Sequence, residues 1–131
     1  MVVSLSILSL LALFAGVSFL NLAPKYRLEK AVWELNSRLN YARYKAIFEG
    51  NSIRIKFGSK SYAIERYDES NKVWQLEENG WLEGVNIQAN NSPTFHPEGT
   101  VSNLASIFIF NSWGKYRITL AITGRVKIVK L

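Results

Sequence analysis

The residue types that most often carry catalysis are scarce in this chain. It has no cysteine and a single histidine, His96, which lies between Phe95 and Pro97 in a segment rich in turn residues. No acidic or hydroxyl-bearing residue stands at a spacing from His96 that is typical of nucleophilic catalysis. We therefore interpret His96 as a turn residue that packs on the folded head, and we predict that the protein is not an enzyme.

A short acidic segment, EENGWLE, is the second place where side chains could do chemistry. A calcium-binding loop needs oxygen ligands at alternating positions, and zinc sites need several histidine, cysteine or carboxylate ligands. The segment has neither pattern, and the sequence contains no glycine-rich phosphate-binding loop. We interpret the segment as a solvated turn, and we predict no bound metal and no cofactor.

Basic residues are concentrated at the C-terminal end. The chain of 131 residues has a net charge of +6, and residues 106–131 carry five basic and no acidic side chains. Residues 50–105, in contrast, carry five basic and seven acidic side chains. A basic face can attract phosphates or acidic partners, or simply face water. The side chains predicted to share this face are Lys115, Arg117 and Lys127, with Arg125 in the adjoining turn, and we find no aromatic residue placed to stack on bases.

The N-terminal segment, residues 1–24, contains no charged side chain. As a helix it would reach about 34 Å, which is enough to cross a bilayer core of about 30 Å. We therefore predict a membrane-spanning helix in residues 1–24. Because Lys25, Arg27 and Lys30 follow this span, we expect a short basic leader to precede Met1 in the precursor, which would place the head outside the cytoplasm.

Residues 25–50 continue the helix with an amphipathic pattern. Apolar residues recur at spacings of three and four, which is typical of one narrow stripe along a helix. Gly50 supplies the stop, and Pro24 at the junction removes one hydrogen bond, so we expect a kink or a loosened turn there. The stripe is predicted to lie under a sheet and consists of Leu28, Val32, Leu35, Leu39, Ala42 and Ala46.

From residue 51 to residue 131 the apolar period changes from 3.6 to 2, which predicts strands. Ile53, Ile55 and Phe57 should form a hairpin with Tyr62 and Ile64, across a turn at residues 58–61. DESN and ENG are predicted turns between the next strands, and ANNSPTFHPEGTVSN is a predicted loop before the strand SIFIF. We predict an α+β fold in which a long N-terminal helix packs on an antiparallel head of about seven strands.

The last two strands, KYRITLAI and RVKIVKL, form a hairpin whose register depends on its turn. A two-residue turn at Thr123 and Gly124 would place the apolar Ile122 opposite the charged Arg125. A three-residue connection instead pairs Ile122 with Val126 and Leu120 with Ile128. We prefer the second register because it keeps apolar side chains on one face.

The chain resembles type IV pilin-like proteins and, within them, minor pseudopilins of the GspH/FimT type. The resemblance covers nearly the whole chain and depends on four features in the right order. The first is the apolar helix with Gly16 and Pro24, and the others are the segments LNYARYKAIFEGNSIRI, FHPEG and GRVKI. The residues that match the family pattern in these three segments are Leu39, Ala42, Arg43, Ala46, Gly50, Ile53, Phe95, Pro97, Gly99, Gly124 and Arg125.

The resemblance implies a structural subunit of a type IV pilus or of a type II secretion pseudopilus. Such a subunit crosses the cytoplasmic membrane once, and its N-terminal helix then joins copies of itself and other pilins or pseudopilins in a periplasmic or extracellular filament. A prepilin peptidase would remove the leader, Met1 would be methylated, and an assembly platform would add the subunit to the filament. The residues implied for the filament core are Leu5, Ile7, Gly16 and Pro24.

Two features leave alternatives open. Pilins usually carry a glutamate at the fifth mature residue, but this chain has Leu5 there and Ile7 in a register two residues longer, so the major, minor or tip position of the subunit stays open. The family also contains DNA-uptake pilins with a basic C-terminal region. The alternative prediction is therefore a DNA-binding minor pilin that uses the basic face.

Overall fold

The computed structural model describes the backbone from Val2 to Leu131 and the side chains from Ala23 to Leu131. One helix, α1 (Val2–Glu49), is followed by antiparallel strands, which confirms the predicted fold class. The described head has nine strands, two more than predicted. These are β1 (Ile53–Phe57), β2 (Ser61–Asp68), β3 (Val73–Trp81), β4 (Asn86–Ala89), β5 (Thr94–Phe95), β6 (Val101–Ser102), β7 (Ser106–Phe110), β8 (Lys115–Leu120) and β9 (Val126–Lys130).

The strands form two antiparallel sheets. The first sheet has the strand order β3-β2-β1-β5-β6, and the second has the order β4-β7-β8-β9. The predicted first hairpin is confirmed, because Ile55 pairs with Ile64 and Phe57 with Tyr62. The C-terminal half of α1 packs against β1 and β5 of the first sheet and against β7, β8 and β9 of the second. The helix therefore joins both sheets around one core.

The predicted helix stripe lies in this core. All six of its residues are at most 3% exposed, and the strands contribute fully buried isoleucines opposite them. Burial of a leucine or isoleucine side chain stabilises a fold by about 1.5–3 kcal/mol, so this interface is a major source of stability. The strand residues that are fully buried in the same core are Ile53, Ile55, Ile64, Ile107, Ile109 and Ile118.

The interpretation of EENGWLE as a turn was wrong, because β3 runs through it to Trp81. Glu78 pairs with Arg38 of α1 at 2.6 Å, and Glu77 accepts a hydrogen bond of 2.5 Å from Arg66. The hydrogen bond from Arg66 lowers the pKa of the Glu77 carboxyl group, and burial opposes this shift. Gly80 pairs with Tyr62 in β2. Cations and an aromatic ring from other elements thus hold the acidic segment as a strand.

The register predicted for the last hairpin was wrong by two residues. Leu120 pairs with Val126, and Ile118 pairs with Ile128, so the connection has five residues, 121–125. The carbonyl group of Ile122 accepts a hydrogen bond of 2.9 Å from the backbone N–H of Val101. Because its carbonyl group is hydrogen-bonded to β6, Ile122 does not continue β8. The shift is an even number of residues, so the same side chains still face the core.

The segment predicted to be a loop, residues 89–103, contains the two short strands β5 and β6. Thr94 and Phe95 are buried, and Phe95 pairs with Ile53 of β1. This pairing attaches the segment to the first sheet. A two-residue strand has too little periodicity to be recognised from sequence, which explains the difference.

The final turn of the head packs on the helix. Gly124 has a φ of 87°, and a Cβ atom built on it would overlap Nε and Cδ of Arg43. Both residues belong to the segments that carry the family resemblance, although they are 81 positions apart by their residue numbers. A side chain at position 124 would therefore have to displace Arg43.

Gly124→Ala is expected to destabilise the head more than Gly50→Ala does. Both glycines have positive φ, so each substitution costs about 1–2 kcal/mol of backbone strain. The space around Gly50 is open, whereas a Cβ at Gly124 meets Arg43. Urea unfolding of the two variants measures the difference. In an Arg43→Ala background the two substitutions should lower the free energy of unfolding by the same amount. A difference that persists in this background would contradict the contact between residue 124 and Arg43.

Candidate functional site

His96 has two hydroxyl partners that the sequence did not reveal. Its Nδ1 lies 3.2 Å from Oγ of Ser52, and its Nε2 lies 2.7 Å from Oγ of Ser102. Ser52 is distant in sequence, so only the folding of β5 beside β1 brings it close. The three side chains connect the start of β1 to the β5-β6 hairpin. Within residues 23–131, no cluster of three or more His, Asp or Glu side chains is arranged to hold a metal ion.

The residues implied for membrane insertion and the filament core fall mostly outside the described side chains. Met1 is not described, and Leu5, Ile7 and Gly16 are described only as backbone within α1, so the predicted roles of all four stay predictions. Pro24 is described, and its carbonyl oxygen accepts a hydrogen bond of 2.8 Å from Nδ2 of Asn111. From Ala23 onward, no stretch of helix is both long enough and apolar enough to cross a bilayer.

The outward side of α1 carries exposed aromatic side chains, which we call the aromatic helix face: Tyr26, Trp33, Tyr44 and Phe48. Each of the four is between 64% and 78% exposed. At 3.6 residues per turn they lie within about 60° of arc, and the buried stripe is centred about 180° away. The rings of Tyr44 and Phe48 stack with their centroids 5.7 Å apart. The helix therefore carries exposed aromatic side chains, interspersed with Lys30 and Ser37, on the side opposite its buried stripe, and the head covers only the stripe.

An open groove extends the aromatic helix face towards the first sheet. It has a volume of about 1110 Å³, and α1 forms one wall with Tyr26 and Trp33. Trp81 at the end of β3 lines the other wall and is itself exposed. Charged side chains, among them Lys30 and Glu34, also line the groove, so it combines aromatic and charged groups as protein interfaces do. The sequence showed the individual aromatic residues, but only the position of the head defines which side of α1 stays uncovered.

The predicted basic residues lie together on the outer face of the second sheet. Lys127 pairs with Thr119, two positions from Arg117, so Lys115, Arg117 and Lys127 point to the same side of β8 and β9. Arg125 is exposed in the connection between these strands. A shallow pocket of about 410 Å³ is lined by Arg125, Lys127 and Thr119. The structure thus places Lys115, Arg117 and Lys127 along one face of the second sheet, with Arg125 beyond the C-terminal end of β8.

Sequence reasoning missed two aromatic residues on this outer face. Phe108 and Phe110 of β7 alternate with the buried Ile107 and Ile109, so their rings point away from the core. Phe108 pairs with Arg117, and Phe110 pairs with Lys115. The alternation in SIFIF was visible, but the sequence does not say which of its two apolar sides faces the helix.

Comparison with solved structures places the fold among pseudopilins. The chain is similar to two structures of the minor pseudopilin EpsH from the type II secretion system of Vibrio cholerae. The first has 15% sequence identity, a TM-score of 0.68 and coverage of 79% of this chain and 97% of EpsH. The second has 14% identity, the same TM-score and coverage of 80% and 94%. No protein-family model matches the chain, and no curated protein does. The described chain thus has the fold of a GspH-like minor pseudopilin.

Proposed function

We propose that this chain is a pilin-like subunit that assembles through its N-terminal helix into a type IV pilus or a type II secretion pseudopilus. The fold similarity to EpsH supports a subunit of this class, and the order of the apolar and amphipathic halves of the helix is that of a pilin. Under this proposal residues 1–24 anchor the subunit in the cytoplasmic membrane before assembly. The head then lies outside the cytoplasm, and its role is structural.

The aromatic helix face is the single observation that carries this proposal. A helix that served only to complete the head would need apolar side chains on one side, and α1 also exposes four large aromatic side chains on the opposite side between residues 26 and 48. Aromatic residues dominate the centres of protein interfaces because they bury large areas at a low cost in side-chain entropy. Helices of neighbouring subunits are the partners that fit a long, narrow and aromatic surface of this kind.

Filaments sheared from cells that produce the full-length precursor test the proposal. We expect electron microscopy to show filaments, and mass spectrometry of the purified filaments to detect this chain with a processed N-terminus. The membrane fraction of the same cells serves as the reference for total subunit. A chain that is abundant in the membrane fraction but absent from purified filaments would contradict the proposal.

A second candidate function is DNA binding by the basic end of the head. The observation that favours it is the row of Lys115, Arg117 and Lys127 on one face of the second sheet, which leads to a shallow pocket lined by Lys127 and Arg125. No carboxylate among the described residues forms an ion pair with these four side chains. Unpaired cations on one surface attract phosphates and release their counterions.

Replacement of Arg125 and Lys127 by Gln is expected to weaken duplex binding under this second candidate. Each lost phosphate contact should flatten the slope of log K against log salt by about one unit. Anisotropy titrations of the full chain in detergent, with duplexes of unrelated sequence, measure both quantities. Lys60→Gln with Lys72→Gln removes the same charge from exposed sites elsewhere and is the matched control. Equal losses in both double variants would indicate a general charge effect and contradict a site.

A further inference from the structure

The outer face of the second sheet combines three kinds of side chain in neighbouring positions. Its strands are in continuous antiparallel register from β4 through β7 and β8 to β9. Amide side chains on β4 lie beside aromatic rings on β7, and basic side chains follow on β8 and β9. One row across the sheet contains Asn86, Phe110 and Lys115, the next contains Gln88, Phe108 and Arg117, and the third contains Ser106, Thr119 and Lys127.

The two rings of β7 are the unusual part of this face. Phe108 and Phe110 are only partly buried, although phenylalanine has no polar group to place in water. Nζ of Lys115 lies 4.6 Å from the ring centre of Phe108 and 5.7 Å from that of Phe110. A lysine side chain is flexible, so a ligand that stacks on the rings would displace Nζ from them. Residues two apart in a strand are separated by about 6.8 Å, which leaves room for one flat group on each ring.

The charges around the rings favour an anionic ligand. Residues 106–131 contain no acidic side chain. Arg117 forms no ion pair with a carboxylate of residues 23–131. Lys127 is exposed one row further along the same face. A ligand with regularly spaced negative charges would complement this arrangement.

The amides of β4 add polar recognition on the other side of the rings. Asn86 and Gln88 are both exposed, and each pairs directly with one of the two phenylalanines. An amide group offers both donors and acceptors of hydrogen bonds, as the edges of nucleic-acid bases do. The aromatic rings match the flat surface of a base, the amides match its edge, and the cations match the phosphates of a single strand.

We propose, on the premise that the basic end binds nucleic acid as in the second candidate function, that the preferred ligand is a single strand. Its bases stack on Phe108 and Phe110, and its phosphates contact Lys115, Arg117 and Lys127. A duplex buries its bases between its own strands, so it reaches the cations but not the rings. Single-stranded binding therefore depends on the two phenylalanines, whereas duplex binding does not.

Fluorescence anisotropy of the full chain in detergent tests this proposal with a labelled oligo-dT of about 20 nucleotides and a duplex of mixed sequence at about 150 mM salt. We expect the single strand to bind at least about tenfold more tightly than the duplex. Phe108→Leu with Phe110→Leu should weaken single-strand binding at least about tenfold and leave duplex binding unchanged. Phe108→Tyr with Phe110→Tyr keeps both rings and should retain single-strand binding, which separates stacking from a loss of folding.

Trp81→Leu removes an exposed aromatic residue from the first sheet and is the matched control. Equal affinity for single strand and duplex, with no effect of the leucine variant, would overturn the single-strand proposal while leaving the DNA-binding candidate intact. No binding to either ligand would overturn both. Loss of filaments in the leucine variant, without any single-strand binding by the unsubstituted chain, would assign this face to contact with a neighbouring subunit instead.

Discussion

Leu39→Ala is expected to lower the free energy of unfolding by about 2–5 kcal/mol. Leu39 is 0% exposed and lies in the middle of the buried helix stripe, between α1 and the two sheets. The substitution removes apolar contacts and leaves a cavity that neighbouring isoleucines on several strands are too constrained to fill. Urea unfolding, followed by the fluorescence of the four tryptophans, measures the change.

Leu76→Ala is the control for this prediction. Leu76 lies in β3 and is 61% exposed, so the same chemical change there should cost less than about 0.5 kcal/mol. A loss below about 0.5 kcal/mol for Leu39→Ala as well would mean that the stripe does not stabilise the head. In that case α1 would be held to the head mainly by its ion pairs with β3.

Trp33→Ala combined with Phe48→Ala is expected to abolish filaments without unfolding the head. Both side chains belong to the aromatic helix face and make little contact with the head, so the free energy of unfolding should change by less than about 1 kcal/mol. Tryptophan at the centre of an interface commonly contributes 2 kcal/mol or more to association, and a filament repeats that loss at every subunit. Filament yield per membrane-bound subunit is the measurement.

A double variant on the first sheet controls for a general effect of surface apolar residues. Val73→Ala with Leu76→Ala removes two exposed apolar side chains that lie on β3 and not on the helix. This variant should assemble normally. Normal filaments from the helix variant would show that the aromatic helix face is not the assembly surface, and the proposed function would then lose its main support.

Local patterns predicted the elements whose partners are close in sequence. The stripe from Leu28 to Ala46 repeats with the period of a helix, and the first hairpin alternates on both sides of a short turn. These patterns are strong because all of their residues favour the same type of secondary structure. The predictions failed where distant residues decide the outcome. EENG has the composition of a turn, but Arg38 and Arg66 stabilise its carboxylates in a strand.

The sequence by itself determined the long helix, the antiparallel head and the excess of cations at the C-terminal end, because periodicity and composition are local properties. The tertiary structure alone decided which apolar sides remain exposed. Both sides of SIFIF are apolar, and α1 has large aromatic residues opposite its buried stripe, but only one side of each element is covered. Burial of an apolar side chain is favourable whichever element covers it. The sequence pattern therefore indicates that a side chain should be buried but not which element buries it. The tertiary structure alone therefore shows that Phe108 and Phe110, like Trp33 and Phe48, lie on sides that the rest of the chain leaves uncovered.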